Sequence, residues 1–124
     1  MTLLRNFEKQ LKLNSNMKQY TNQDQTAKLI ELGFPESETS RDYDLDIDKS
    51  LVNCAYSIGE LIEFLPTSFS KKDKYFHLDI FPARSGWFIL YATYNKEEYH
   101  RNFKRELIDA LFCACVTLKE EGVI

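Results

Sequence analysis

Apolar residues recur along the chain at two spacings, and the change from one to the other marks out its elements. The stretch TNQDQTAKLIELGF carries Ala27, Ile30 and Leu29 on a helical stripe, with Thr21 as N-cap, Asp24 three residues on and Gly33 as terminator. A helix over roughly 22–32 is predicted. In YSIGELIEFLP, Ser57 and Glu60 have capping-box spacing, Leu61, Ile62, Phe64 and Leu65 supply an apolar side, and Pro66 stops the turn, which predicts a helix over 57–65. KYFHLDIFPARSGWFILYATY switches to a period of two and reads as a β-hairpin with PARSG as a five-residue connection. NFKRELIDALFCACVTLKEEGVI then returns to helical spacing, with Phe103, Leu107, Ala110, Leu111, Ala114 and Leu118 on one face and an end at Gly122.

These elements predict an α+β fold: a small, mainly antiparallel sheet, formed by the hairpin plus a third strand, packed on two or three helices. The third strand is drawn from RDYDLDIDKS, where Asp42, Asp44, Asp46 and Asp48 alternate with Tyr43, Leu45 and Ile47. A calcium loop needs a glycine for its sharp turn and a bidentate glutamate as last ligand. Started at Asp42, the chain has Ile47 and Asn53 at those places; started at Asp44, it has Lys49 and Ala55. Strict alternation instead predicts a half-buried strand with its acids in water. Residues 1–16 place Leu3, Leu4, Phe7 and Leu11 near a helical stripe and then dissolve into NSNMKQY, so they read as an N-terminal extension, a short amphipathic helix in form, ahead of one domain over 17–124.

Charge and composition narrow the function classes. A length of 124 residues suits one core, and 44% hydrophobic with 28% charged residues suits a globular domain. The net charge of −3 leaves −6 outside the basic first eighteen residues, which disfavours nucleic acid as a partner, since that affinity rests on clustered Lys and Arg. No apolar run has membrane-spanning length and the start is unlike a signal peptide, so the expected location is cytoplasmic. Cys54, Cys113 and Cys115 lack C-x-x-C spacing and read as reduced thiols. Cys113 and Cys115 lie about 200° apart around a helix and cannot share a site. No metal site, phosphate loop or cofactor is indicated.

QTAKLIELGF, YSIGELIEFLP and the ending LKEEGVI, taken together over Met17 to Ile124, resemble a group of small uncharacterised proteins encoded by prophages and mobile elements of gut anaerobes. The resemblance implies a narrow family unit with a dispensable N-terminal extension. It brings no activity, cofactor or catalytic residue.

The hairpin holds the candidate surface. With Phe81 opposite Trp87, one face collects Phe76, Leu78, Ile80, Phe88, Leu90 and Ala92 and takes the helices, while the other carries Tyr75, His77, Asp79, Phe81, Trp87, Ile89 and Tyr91. Large rings of this kind are enriched at recognition surfaces. The function expected is therefore that of a non-enzymatic accessory or interaction protein of a phage or mobile element, with a protein partner or self-association on the ring-bearing face. The alternative is a small hydrolase or metal-dependent enzyme using His77 and Asp79, which sit two apart on one strand face, near enough for the aspartate to orient the imidazole. No nucleophile motif or third ligand accompanies them.

Overall fold

The computed structural model describes residues 17–37 and 55–124. Residues 1–16, the aspartate run and Cys54 lie outside the described residues. The described residues form helices α1 (Gln23–Glu31), α2 (Ile58–Phe64) and α3 (Leu107–Glu120), and strands β1 (Ser68–Lys71), β2 (Lys74–Ala83), β3 (Gly86–Ala92) and β4 (Glu98–Lys104). The strands make one antiparallel sheet in the order β1-β2-β3-β4. The α+β class and the small antiparallel sheet on helices are as the sequence predicts.

The helix ends follow their local chemistry. At α2 the Ser57 hydroxyl accepts from the Glu60 amide at 3.1 Å, and the Glu60 carboxylate accepts from the Ser57 amide at 3.0 Å, the capping box expected there. At α1 the cap falls on Asn22, one residue later than expected. Asn22 Oδ1 accepts from the Gln25 amide at 2.8 Å and Gln25 Oε1 accepts from the Asn22 amide at 3.0 Å. Thr21 is engaged elsewhere, because its hydroxyl meets that of Thr26 at 2.6 Å and accepts the Tyr56 amide at 3.0 Å. After α1, Gly33 N–H donates to Ile30 and Phe34 N–H to Leu29; after α3, Gly122 N–H donates to Lys119 and Val123 N–H to Leu118. These are paired C-terminal caps of Schellman type. Of the α1 stripe, Leu29 is buried but Ile30 faces outward.

The sheet departs from expectation in two ways. First, it has β1 and β4, neither of which the sequence pattern predicts. Phe103 belongs to β4, so α3 begins only at Leu107. Second, β2 runs on through Pro82 to Ala83, and a two-residue turn of Arg84 and Ser85 replaces the five-residue connection, pairing Phe81 with Phe88 and Pro82 with Trp87. A slip of one residue moves every β3 side chain to the other face. Trp87, Ile89 and Tyr91 are consequently buried with Phe76 and Ile80 in the core, against Leu107, Leu111, Ala114 and Leu118 of α3, while Phe88, Leu90 and Ala92 lie on the face turned away from the helices.

Two polar ties lock the layers. Tyr91 O–H donates to the Pro66 carbonyl at 2.7 Å, and burial pushes that phenol well above its ordinary range. Asn102 Nδ2 donates to His100 Nε2 at 2.7 Å and to the Ala110 carbonyl at 3.2 Å, joining β4 to α3. The Ala110 carbonyl can only accept, which turns the Asn102 Nδ2 donor toward it, and beside that nitrogen the His100 Nε2 accepts in the tautomer that carries its proton on Nδ1. Burial lowers its pKa, opposed by the charge of Glu121.

Candidate functional site

The register sets the composition of the open sheet face. Strand alternation turns Tyr75, His77, Asp79 and Phe81 of β2 outward, as the sequence predicts for those four. Across the hairpin their neighbours are Ala92, Leu90 and Phe88, and β4 adds Glu98, Arg101 and Phe103. The expected surface thus keeps its β2 half and exchanges its β3 half: Trp87, Ile89 and Tyr91 are core residues and cannot touch a partner. The residues missed are Phe88, Leu90 and Phe103, together with Tyr94 in the turn before β4.

Two groups of side chains occupy the face. Near the β2–β3 turn, Phe81, Phe88 and Phe103 stand directly across three strands, with ring centroids 5.1 Å and 4.7 Å apart, and the Arg101 guanidinium lies 5.2 Å over Phe88. Phe103 is 39% exposed even within this row. Toward the other end, the His77 imidazole lies between Tyr75 at 5.3 Å and Tyr94 at 4.4 Å, and these two rings are 56% and 87% exposed. Rings left in water this way cost solvation that a monomer gains nothing from, which is the usual mark of a contact surface.

Beside His77 is a hollow of about 360 Å³ lined by Asp79, Leu90, Ala92, Tyr94, Lys96 and Glu98. His77 Nε2 is sealed from solvent and has no hydrogen-bond partner. His77 and Asp79 share this face but no hydrogen bond joins them, so the carboxylate does not orient the imidazole as a catalytic pair would require. Among the described residues no three His, Cys, Asp or Glu side chains converge as metal ligands.

A second hollow of about 510 Å³ lies between α1 and α3, where Cys113, Asp109 and Lys104 meet Lys18 and Gln25. Its central carboxylate is already occupied: Gln25 Nε2 donates to Asp109 Oδ1 at 2.7 Å and Lys18 Nζ stands 3.7 Å away. Cys115, two residues on, is sealed in the core with its thiol facing the Leu61 carbonyl at 3.6 Å, and burial pushes it up to about 12, so it is no nucleophile.

Among the described residues no helix is long and apolar enough to cross a membrane. Compared with protein-family models, curated proteins and solved structures, the chain matches none.

Proposed function

We propose that the protein is a non-enzymatic binding module that holds a protein partner on the open face of its sheet. The observation that carries this reading is the row Phe81–Phe88–Phe103, three rings set side by side across three strands on the face opposite the helices. A rigid antiparallel sheet presents such rings with little entropy left to lose, which favours contact over chemistry. The accessory role in a phage or mobile element rests on the resemblance of QTAKLIELGF, YSIGELIEFLP and LKEEGVI alone.

The test uses peptides selected on the wild-type protein from a displayed random library. Their affinity is then measured on Phe81→Ser and Phe103→Ser, with circular dichroism to verify that both variants fold. At least a tenfold loss, about 1.4 kcal/mol, is expected for one of the pair if the row is the anchor. Selected peptides that bind both variants undiminished would refute the reading. So would turnover of a substrate that depends on His77 and is indifferent to the phenylalanines, the outcome a hydrolase predicts.

A further inference from the structure

Pairing register arranges the open face in rows across β2, β3 and β4: His77, Ala92 and Glu98 form one, Asp79, Leu90 and Arg101 the next, and the three phenylalanines the third. The outer members of each row are complements of one another. Asp79 stands on the β2 side of Leu90 and Arg101 on its β4 side, His77 and Glu98 flank Ala92, and a ring closes the third row at either end. Beyond β2 the face turns polar, because Phe69 points into the core and strand alternation sends Ser68 and Ser70 outward beside His77 and Tyr75. The apolar part is thus confined to the three strands centred on β3.

Two copies of one chain close into a dimer about a twofold axis. Laid along β3 in the plane between two such faces, the axis sets β2 of one copy over β4 of the other and keeps every row over itself. Asp79 then meets Arg101, His77 meets Glu98 and Phe81 meets Phe103, while Leu90 and Phe88 meet their own copies on the axis. An axis across the strands does the opposite: it sets Asp79 on Asp79 and Arg101 on Arg101 and lays the rings over His77 and Glu98. Opposed like charges exclude that arrangement. The two charges of the middle row are placed to be shared. Asp79 is exposed and makes no hydrogen bond or ion pair among the described residues. Arg101 lies 5.2 Å over the Phe88 ring, and its contact with Glu98 at 3.5 Å joins two exposed groups, a weak pair in water. Lys96 belongs to the turn between β3 and β4 and lies outside the rows.

From this we infer that the occupant of the open face is a second copy of this chain, in a face-to-face dimer whose axis runs along β3. The inference rests on the open face being a protein-binding surface and names the partner. Three strands about 4.8 Å apart, with five residues of about 3.4 Å each, give a patch of roughly 14 by 17 Å, at the small end of specific interfaces. The dimer therefore exchanges with monomer, with a Kd of roughly tens to hundreds of micromolar.

Sedimentation equilibrium of the full-length chain, with Asp79→Arg and Arg101→Asp made separately, tests it, and circular dichroism verifies that both variants fold. The wild type should show a concentration-dependent dimer. Each reversal alone opposes like charges twice across the axis and should raise Kd at least about fivefold. An equimolar mixture of the two variants should associate again, since each copy supplies the charge the other lacks, and that recovery cannot come from repair within either chain. Where a reversal does not fold, the neutral changes Asp79→Asn and Arg101→Gln take its place, each expected to weaken the dimer about twofold or more. A chain that stays monomeric to about 1 mM, a Kd indifferent to the charge changes, or a mixture of the reversed variants no tighter than either alone would overturn the inference. If that happened while selected peptides were still lost on Phe81→Ser or Phe103→Ser, the binding face would keep its role with a different protein.

Discussion

Replacing Ile89 and Leu90, adjacent residues of β3, by alanine separates the two hairpin registers by stability alone. In the paired register Ile89 is fully buried between Ile80 and Asn102 on the side that α3 covers, while Leu90 is half-buried on the open face between Asp79 and Arg101. Ile89→Ala removes three carbons from a packed site and leaves a cavity, for a cost of about 2–5 kcal/mol. Leu90→Ala uncovers only a surface contact and should cost about 1 kcal/mol or less. Total stability for a domain of this size is on the order of 5–15 kcal/mol, so the first change removes a large share of it. With a urea m-value of about 1.5–2 kcal/mol/M, the midpoint should fall by about 1–3 M for Ile89→Ala and by roughly 0.5 M for Leu90→Ala. Urea titrations followed by circular dichroism, with m held in common, give both numbers. Equal costs, or a larger cost at Leu90, would restore the five-residue connection and return Trp87, Ile89 and Tyr91 to the surface.

Gly86→Ala should destabilise by several kcal/mol or prevent folding, because an added Cβ would meet the Lys104 carbonyl oxygen and stand 2.8 Å from Phe103 Cζ; expression yield and thermal melting report it. The β1–β2 turn places Lys72 and Asp73 at φ 54° and 63°, a left-handed pair that Asn-Gly accommodates better, so Lys72→Asn with Asp73→Gly should gain about 1 kcal/mol in the same urea assay. Because the folded His100 is held below its ordinary pKa by burial, the unfolded chain binds more protons. The stability His100 supplies is therefore whole above pH about 6.5 and declines as pH falls toward the depressed folded value, by at most about 1.4 kcal/mol per pH unit; His100→Gln should flatten that slope in urea titrations at pH 7.5, 6 and 5. Native alkylation mapped by mass spectrometry should modify half-buried Cys113 while leaving Cys115 unlabelled until the protein unfolds.

Sequence alone reveals the helices and strand β2 because each carries a strong local pattern: a capping box at Ser57, a long apolar face from Leu107 to Leu118, and alternation from Tyr75 to Phe81. Strand β3 does not behave that way. Trp87 to Ala92 is apolar without interruption, so nothing within it says which side faces the helices, and its orientation hangs on the length of the turn. Pro82 and Ala83 have the composition of a loop yet belong to β2, and their inclusion shifts the register by one. Strand β4 was hidden because Phe103 falls at helical spacing from Leu107, although the polar turn TYNKE ahead of it is the kind of break that opens a new strand. Strand β1, the four residues SFSK, has too little apolar content to announce itself. The candidate site suffered accordingly, keeping the β2 residues His77 and Asp79 and misplacing everything across the hairpin.

Chain order in the meander bears on how the protein is made. Each strand pairs with the one just synthesised, through turns of only a few residues, so the whole sheet can assemble as it leaves the ribosome. Its cover, α3, is translated after all four strands. Until Leu107 to Leu118 emerge, Trp87 and Ile89 lack that cover on one side while Phe81, Phe88 and Phe103 are open on the other. A nascent chain arrested before Leu107 is thus a sheet greasy on both sides, a client for chaperones and proteases in place of a smaller working domain.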